Sequence, residues 1–410
     1  MGAYLGYLEC PRCGLREEEK HAFWGCRSCR AEGLAVNVHP AYELREPVPD
    51  EFDRAMGIFR HQWLLPVKGH QPPISLGEGS TPLVHLAELG SRLGLSQLFF
   101  KDESRNPTWS YKDRLAAVAV SHARESGAST VVVATTGNHG AAIAAYAAAA
   151  GLECVVLTLE SVPSEMLALM QAYGARVVAL SSGPERWTLM RSAVDAFGWT
   201  PMSGLVDPPV GSNPFGIDGY KTIAYELVED LGQPPDYVVV PTAYGDGLTG
   251  IYRGFLDLKE LGRIDTTPRM VAAEPLGPYA ASLADGGEIP LGVAPRASVA
   301  FSIASPIATF QGIQAIRHSD GAAVQIEHDS EITAAQQQLA RVGLCVEASA
   351  AISLPVVEYL SGDTLSEDDL VVLIGTSSGM KDIAGIARQH DDVATIAPDL
   401  DELTRALGMA

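Results

Sequence analysis

The sequence predicts an α/β protein built from two doubly wound domains. Short apolar runs rich in valine alternate with segments of helical periodicity, a pattern typical of parallel sheets covered by helices on both faces. The alternation occurs in two successive sets along the 410 residues, a length sufficient for two hydrophobic cores. Several runs end in loops rich in Gly, Ser, Thr and Asn. Ligands of such folds bind at the carboxyl ends of the strands, so we expect a site between the two domains.

Four cysteines near the start of the chain predict a zinc-ribbon-like segment over residues 1–38. They form two Cys-x2-Cys pairs, Cys10 with Cys13 and Cys26 with Cys29. Each pair points two sulfurs at one ion, and four thiolates complete a closed structural site for zinc. Two alternatives are a disulfide pair and a relic that has lost its metal.

Two sets of apolar runs predict the strands of the two domains. The first set predicts strands at 98–100, 130–134, 154–158 and 176–180. Helices are expected after Lys112 and over 140–150 and 165–173. The second set predicts strands at 237–240, 270–273 and 370–374. We assign 113–204 to a small α/β domain, and 39–112 together with 205–410 to a large one.

Composition excludes several classes of function. The formal net charge is -21, and a chain this acidic binds nucleic acid or anionic membrane poorly, because both carry the same sign. No apolar run reaches the roughly 20 residues of a membrane-spanning helix, and the start does not resemble a signal peptide. We therefore expect a cytoplasmic protein with reduced cysteines, which acts on a small molecule.

Four segments at helix starts carry residues suited to chemistry. Lys112 follows a turn and begins a helix, where the helix dipole disfavours its ammonium form and frees the amine for attack on an aldehyde. The segment 135–140 follows a strand, and its backbone N–H groups suit a carboxylate. The glycine-rich segment 244–250 suits a phosphate. The segment 375–379 offers hydroxyls at a sheet edge. Taken singly, each is also consistent with an ordinary turn or a solvated lysine.

Together and in this order, the four segments resemble the fold-type-II (tryptophan synthase β-like) family of pyridoxal-phosphate enzymes, and threonine synthase most of all. The resemblance extends from about residue 76 to residue 382 and includes 77–83, 213–214, 219–222 and 347–350. A zinc-ribbon-like start also occurs in relatives of threonine synthase. The resemblance implies an amino-acid substrate and a homodimer.

The resemblance also implies a role for each site residue. Lys112 would carry pyridoxal phosphate as a Schiff base and act as general base, Asn138 would contact the phenolic oxygen of the cofactor, and Thr376 would face its pyridine nitrogen. The cofactor phosphate would bind to Gly245, Asp246, Gly247, Leu248 and Thr249. The substrate carboxylate would bind to Thr135, Thr136, Gly137, Asn138 and His139. A carboxylate such as Asp246 suits a phosphate site only if its side chain turns away.

The chain departs from threonine synthase where that family binds the phosphate of O-phosphohomoserine. Met166 stands in place of a lysine, Gly216 in place of an arginine, and Val210-Gly211 in place of Asn-Ser. Each charge-assisted hydrogen bond contributes about 1.5–3 kcal/mol, so these changes are expected to weaken binding of a dianion.

Two further expectations concern the same region. Trp109 replaces a glycine, and its ring is expected to narrow the site. Alternatively, Arg105, Lys221 or Arg253 would rebuild the phosphate site with other cations.

The sequence therefore predicts a pyridoxal-phosphate-dependent lyase or synthase that performs β- or γ-elimination or replacement on an amino-acid side chain. The alternatives within enzymes are threonine synthase itself, a serine or threonine ammonia-lyase, and a β-replacement enzyme similar to cysteate synthase. Outside enzymes, the alternative is a catalytically silent amino-acid sensor that keeps the fold.

Overall fold

The computed structural model describes residues 4–43, 54–181, 183, 185–362 and 364–409. The strands are β1 (Tyr4–Glu9), β2 (Arg16–Glu17), β3 (His39–Tyr42), β4 (Leu83–His85), β5 (Gln97–Asp102), β6 (Thr130–Ala134), β7 (Glu153–Leu159), β8 (Arg176–Leu180), β9 (Thr200–Pro201), β10 (Tyr237–Pro241), β11 (Arg269–Glu274), β12 (Ala322–Gln325) and β13 (Leu370–Gly375).

The α-helices are α1 (Arg27–Ala31), α2 (Ala87–Arg92), α3 (Lys112–Glu125), α4 (Asn138–Ala150), α5 (Ser164–Ala172), α6 (Glu185–Phe197), α7 (Pro214–Ile217), α8 (Lys221–Leu231), α9 (Asp246–Glu260), α10 (Pro278–Asp285), α11 (Phe310–His318), α12 (Asp329–Arg341), α13 (Ala348–Ala351), α14 (Ser353–Leu360), α15 (Ile383–Ala387) and α16 (Leu400–Ala406). Short 3-10 segments cover Glu19–Trp24, Arg54–Leu64, Glu103–Arg105, Asp218–Tyr220, Phe301–Ile303 and Gly379–Lys381.

Two mostly parallel sheets confirm the predicted α/β class. The large sheet has six strands in the order β12-β11-β10-β13-β5-β4, and only β4 is antiparallel to its neighbour. The small sheet has the order β8-β7-β6-β9, with every pair parallel. Strands β10 and β13 are buried at every residue, because helices cover both faces of the large sheet.

All seven predicted strands are present, and their ends lie within two residues of the predicted positions. The runs at 130–134 and 176–180 match β6 and β8 at both ends. The sequence did not predict β4 and β12 of the large sheet or β9 of the small sheet. These strands have only two to four residues, and none contains a run of three large apolar side chains that would distinguish it from a loop.

The N-terminal segment forms a third sheet that packs on the main body. Strand β1 pairs antiparallel with β2 and with β3, so this sheet extends to Tyr42, four residues beyond the predicted end at 38. Its small core continues into Phe215 and Phe310 of the body. The domain ranges derived from the sequence remain a prediction. None of the helices in the described part of the chain is long and apolar enough to cross a membrane.

A buried ion cluster holds the start of α3. Arg114 is fully buried and donates two hydrogen bonds of 2.7 Å to the carboxylate of Glu103. It donates two more, of 2.7 and 2.8 Å, to Glu226 on α8, and one to Thr222. Glu226 also accepts from Lys101 at the end of β5. The cluster therefore joins α3 to α8 and β5. Its central residue, Arg114, lies two residues after Lys112.

We expect Arg114→Met to lower the free energy of unfolding by about 3–5 kcal/mol, because it removes the cationic partner of the buried Glu103 and one of the two cationic partners of the buried Glu226. Arg105→Met is the control, since Arg105 pairs with Asp102 through a side chain that is 65% exposed, and such pairs contribute at most about 1 kcal/mol. Urea unfolding of both variants measures the difference. Equal, small losses in the two variants would contradict this role of Arg114.

Candidate active site

One cavity of about 260 Å³ gathers nearly all the residues that the sequence singled out. It lies at the carboxyl ends of β6 and β10 and includes Thr376, which directly follows β13. The predicted site residues that line it are Lys112, Thr135, Thr136, Gly137, Asn138, His139, Gly245, Asp246, Gly247, Leu248 and Thr376. Thr249 does not line this cavity. It faces a second cavity beside α9, where its hydroxyl has no partner among the described residues.

Lys112 is the first residue of α3, and its amine projects over aromatic rings. Its Nζ lies 4.9 Å from the ring centroid of Tyr111 and 5.6 Å from that of Tyr220. Tyr220 is fully buried. In the described part of the chain Lys112 forms no salt bridge, so its amine is available for reaction.

The segment before Lys112 is tied to the loop after β13. The N–H of Tyr111 donates to the carbonyl of Thr376 at 2.9 Å, and the N–H of Ser378 donates to the carbonyl of Trp109 at 3.0 Å. The hydroxyl of Ser377 also donates to Trp109. These bonds bring Lys112 and Thr376 to the same cavity although they are far apart in sequence.

Trp109 adopts the left-handed conformation, with φ of 62°. Its side chain is 45% exposed, and it is not among the residues that line the cavity. The prediction that its ring narrows the site is therefore wrong. The backbone at this position turns the side chain toward solvent.

The loop between β6 and α4 is braced by Thr135. Its hydroxyl accepts hydrogen bonds from the N–H groups of Gly137 and Gly140, at 3.1 and 3.2 Å. Gly140 is required here, because a Cβ would lie 2.4 Å from the Thr135 methyl group. The Asn138 amide donates to both oxygens of Glu347, at 3.1 and 3.2 Å. Its own oxygen is buried without a partner among the described residues.

His139 is a buried, neutral imidazole. Burial, together with the positive charge of Lys112, lowers the pKa of His139 to about 3, so the ring is uncharged at physiological pH. Its Nε2 has no hydrogen-bond partner in the part of the chain that is described. Two unpartnered polar atoms, on Asn138 and His139, thus belong to side chains that line the same cavity.

The loop between β10 and α9 places glycines where a side chain would not fit. Gly245 has φ of 73°, and a Cβ there would lie 2.6 Å from the hydroxyl of Tyr279. A Cβ at Gly247 would lie 2.7 Å from the ring of Tyr111. The 15-residue helix α9 begins at the next position after Gly245, so the positive end of its dipole is directed at the cavity.

Asp246 is the acidic residue in this loop. Its Oδ1 accepts a hydrogen bond from the N–H of Ser212 at 3.1 Å. Ser212 also lines the cavity, so this bond joins the carboxylate to another part of the cavity wall. Burial raises the pKa of Asp246 to about 6, although the charge of Lys112 and the Ser212 N–H both oppose this shift.

Comparison with known proteins defines the family. Residues 74–377 match the model of the family described as pyridoxal-phosphate dependent enzymes. This chain belongs to that family. It is 32% identical to the threonine synthase of Methanocaldococcus jannaschii over 408 residues, which cover 97% of this chain and 98% of the relative. It is 29% identical to the threonine synthase of Methanosarcina acetivorans over 98% of each chain.

Solved structures agree on the fold of this pyridoxal-phosphate-dependent enzyme. Maize serine racemase matches with a TM-score of 0.63 at 20% identity, covering 76% of this chain and 94% of the racemase. A tomato threonine deaminase matches with a TM-score of 0.62 at 18% identity, covering 80% and 83% of the two chains. The enzyme thus has the fold-type-II architecture that the sequence predicted, and it is a threonine synthase-like lyase or synthase.

The residues of the cavity fit pyridoxal phosphate. Lys112 offers an amine without a salt bridge, and the glycine loop with the start of α9 offers N–H groups to a phosphate. Asn138 Oδ1 and His139 Nε2 are buried without a hydrogen-bond partner among the described residues. Because buried polar atoms generally have such partners, a polar ligand in the cavity could supply them. Thr249 alone among the predicted cofactor contacts faces elsewhere.

Most of the departures from threonine synthase lie outside the cavity. Met166 and Val210 are buried and do not line it. Gly216 packs on α3, where a Cβ would lie 2.9 Å from the Leu115 side chain, so a longer side chain does not fit in this arrangement. Only Gly211 lines the cavity.

The three cations that were expected as alternatives for rebuilding the phosphate site also lie outside the cavity. Arg105 pairs with Asp102 at the surface, and Arg253 pairs with the buried Asp218. Lys221 forms a 2.5 Å salt bridge with Asp257. None of the three lines the cavity. Sequence reasoning instead missed Arg186, which does line it, because an isolated arginine in a helix carries no motif.

The four N-terminal cysteines form a cluster that fits a tetrahedral metal site. Their sulfur atoms all lie within 4.8 Å of one another, and the Cys10–Cys29 and Cys13–Cys26 pairs are both 3.6 Å apart. All four are free cysteines, so the disulfide alternative does not hold here. Zinc–sulfur bonds of about 2.3 Å require sulfurs about 3.8 Å apart, which agrees with this spacing.

Proposed function

We propose that this enzyme catalyses pyridoxal-phosphate-dependent elimination or replacement at the β- or γ-carbon of an amino-acid side chain, on a substrate other than O-phosphohomoserine. The observation that carries the proposal is the single cavity that holds Lys112, the 135–139 loop, the start of α9 and Thr376. An amine, two anion-binding loops and a hydroxyl in one cavity suit a cofactor and an amino acid bound together.

Each element has a role in this proposal. Bound pyridoxal phosphate supplies an aldehyde that condenses with amines and a ring that accepts electron density from the substrate. The Lys112 amine holds the cofactor and then moves the proton at the substrate Cα. The 135–139 loop binds the substrate carboxylate, and residues 245–248 at the start of α9 bind the cofactor phosphate. Asn138 and Thr376 orient the ring.

The substrate part of the proposal rests on Gly211. This residue lines the cavity in place of a polar residue that the threonine synthase family offers to a phosphate. A Cβ at position 211 would lie 2.6 Å from both Asp246 and Gln311, so a side chain cannot be accommodated there without displacing its neighbours. The wall is therefore shaped for a different leaving group.

Threonine synthase activity is the second candidate. The observation that favours it is the similarity to two threonine synthases over nearly the full length of each chain. The two candidates share the cofactor residues and differ in the group that leaves the side chain.

Assays with O-phosphohomoserine separate these candidates. We expect little or no threonine from this compound, and we expect turnover of another amino acid in a screen that follows the cofactor absorbance. Formation of threonine at a turnover rate typical of enzymes, about 1–1,000 per second, would instead establish the second candidate.

Lys112→Ala tests the attachment of the cofactor. We expect the variant to lose the visible absorbance band of lysine-bound pyridoxal phosphate and all turnover, because none of the other described residues that line the cavity is a lysine. Lys259→Ala, at an exposed position of α9, is the control and should keep both. An unchanged band in the Lys112 variant would place the cofactor on a different lysine.

We also propose that the four-cysteine cluster holds one structural zinc ion. Its segment contacts the cavity wall, because the Asn37 amide donates to the carbonyl of Ser212 at 3.2 Å and Gly25 packs against Val210. Loss of the metal is therefore expected to loosen the wall near Gly211.

Metal analysis tests the zinc proposal. We expect one zinc per chain, lost in Cys29→Ser together with thermal stability and substrate affinity, because the small core of the segment includes three of the four cysteines themselves and depends on the metal they hold. Cys345→Ser changes an exposed cysteine outside the cluster and should keep the zinc. Purified protein without zinc, and unaffected by chelators, would contradict the proposal.

The resemblance to the family supports a cytoplasmic homodimer as the working assembly. Light scattering is expected to give twice the chain mass of 43.4 kDa. A mass of one chain would exclude the dimer.

A further inference from the structure

Arg186 lines the cavity but forms only one hydrogen bond with the described residues. It is the second residue of α6 and is only 8% exposed. Its Nε donates to the carbonyl of Gly183 at 3.0 Å. Neither of its other two nitrogens bonds to a described residue, and Nη1 is buried without a partner.

No described residue supplies a counter-charge to this guanidinium. The two carboxylates that line the cavity are engaged elsewhere, Asp246 with Ser212 and Glu347 with Asn138 and Ser302. Burial lowers the pKa of Arg186, and the only ionisable group that opposes this effect is the phenol of Tyr244. Burial raises the pKa of that phenol, so it is uncharged at physiological pH.

A buried, unpaired guanidinium is unfavourable in the free protein. Arginine does not relieve this cost by losing its proton, because the guanidinium group stays protonated in proteins. Buried charges are normally paired or coordinated, so the missing partner here is expected to be a ligand. The free nitrogens form a planar fork that matches the oxygens of a phosphate, sulfonate or carboxylate.

The other two anions of the reaction already have binding groups in this account. The substrate carboxylate is assigned to the 135–139 loop and the cofactor phosphate to the start of α9. Arg186 belongs to a third segment, α6, and lies beside Trp187 with its guanidinium carbon 5.6 Å from the ring. The ring of Tyr244, which also lines the cavity, lies 6.4 Å from that of Trp187.

We propose that Arg186 binds an oxyanion at the end of the substrate side chain, so that the substrates are amino acids with a second anionic group. This inference rests on the proposed function, since it specifies the substrate class of the same cavity. A single buried arginine then replaces the polar and cationic residues that this chain lacks at positions 166, 210, 211 and 216. Arg186 acts in recognition and takes no part in proton transfer.

The experiment compares binding to the holoenzyme, independent of turnover. O-phosphoserine and O-phosphohomoserine are the anionic probes, serine and homoserine are the neutral ones, and the cofactor absorbance reports binding. We expect Arg186→Gln to weaken binding of at least one anionic probe by about tenfold to a hundredfold, the range for one or two charge-assisted hydrogen bonds. Binding of the neutral probes and of the cofactor should not change.

Two further variants complete the design. Arg186→Lys keeps the charge but not the planar fork, and it should recover part of the lost affinity. Arg191→Gln is the matched control on the same helix, because Arg191 faces Trp24 of the N-terminal segment and does not line the cavity. It should bind every probe as the unmodified protein does. Inorganic phosphate should compete with the anionic probes in the unmodified protein and not in Arg186→Gln.

The outcomes separate this inference from the proposed function. The role of Arg186 is overturned if Arg186→Gln loses affinity equally for anionic and neutral probes, or if its affinity for the anionic probes is unchanged. Weaker binding of pyridoxal phosphate in Arg186→Gln also overturns it and assigns the residue to the cofactor phosphate. Selective loss of the anionic probes supports the inference even if no probe is converted, and in that case only the proposed reaction fails.

Discussion

The buried cluster around Arg114 is the constraint on which the site depends. Its guanidinium binds Glu103 and Glu226 at once, and Glu226 also pairs with Lys101. Four charges without solvent are stable only when each has its partners in place. The cluster therefore allows one arrangement of α3 against β5 and α8. Because Lys112 lies two residues before Arg114, the same arrangement fixes the origin of the reactive amine.

Two further sets of hydrogen bonds position the other parts of the cavity relative to α3. The 109–111 segment bonds to the loop after β13, which brings Thr376 to the amine. Asn138 bonds to Glu347, which joins the small-sheet side of the cavity to the large-sheet side. The walls that receive the cofactor are thus rigid and mutually supported. In contrast, Arg186 has one hydrogen bond to a described residue, and in the role proposed for it the substrate supplies the remaining partners.

Much of the fold and of the cofactor site could be predicted from the sequence. Valine-rich runs identified β6 and β10, and the loops that follow them supplied residues that line the cavity. Short strands such as β12 were missed, because pairing with a neighbour rather than composition makes them strands. Trp109 was misjudged, since alignment gives a residue type but not the direction of its side chain. Arg186 became visible only through its burial and its lack of partners.

The central claim is that Lys112 is the residue that holds pyridoxal phosphate. The most direct measurement is reduction of the holoenzyme with borohydride, followed by digestion and mass spectrometry of the labelled peptide. We expect a single pyridoxyl group, on Lys112. A label on another buried lysine, such as Lys101, Lys221 or Lys381, would contradict it.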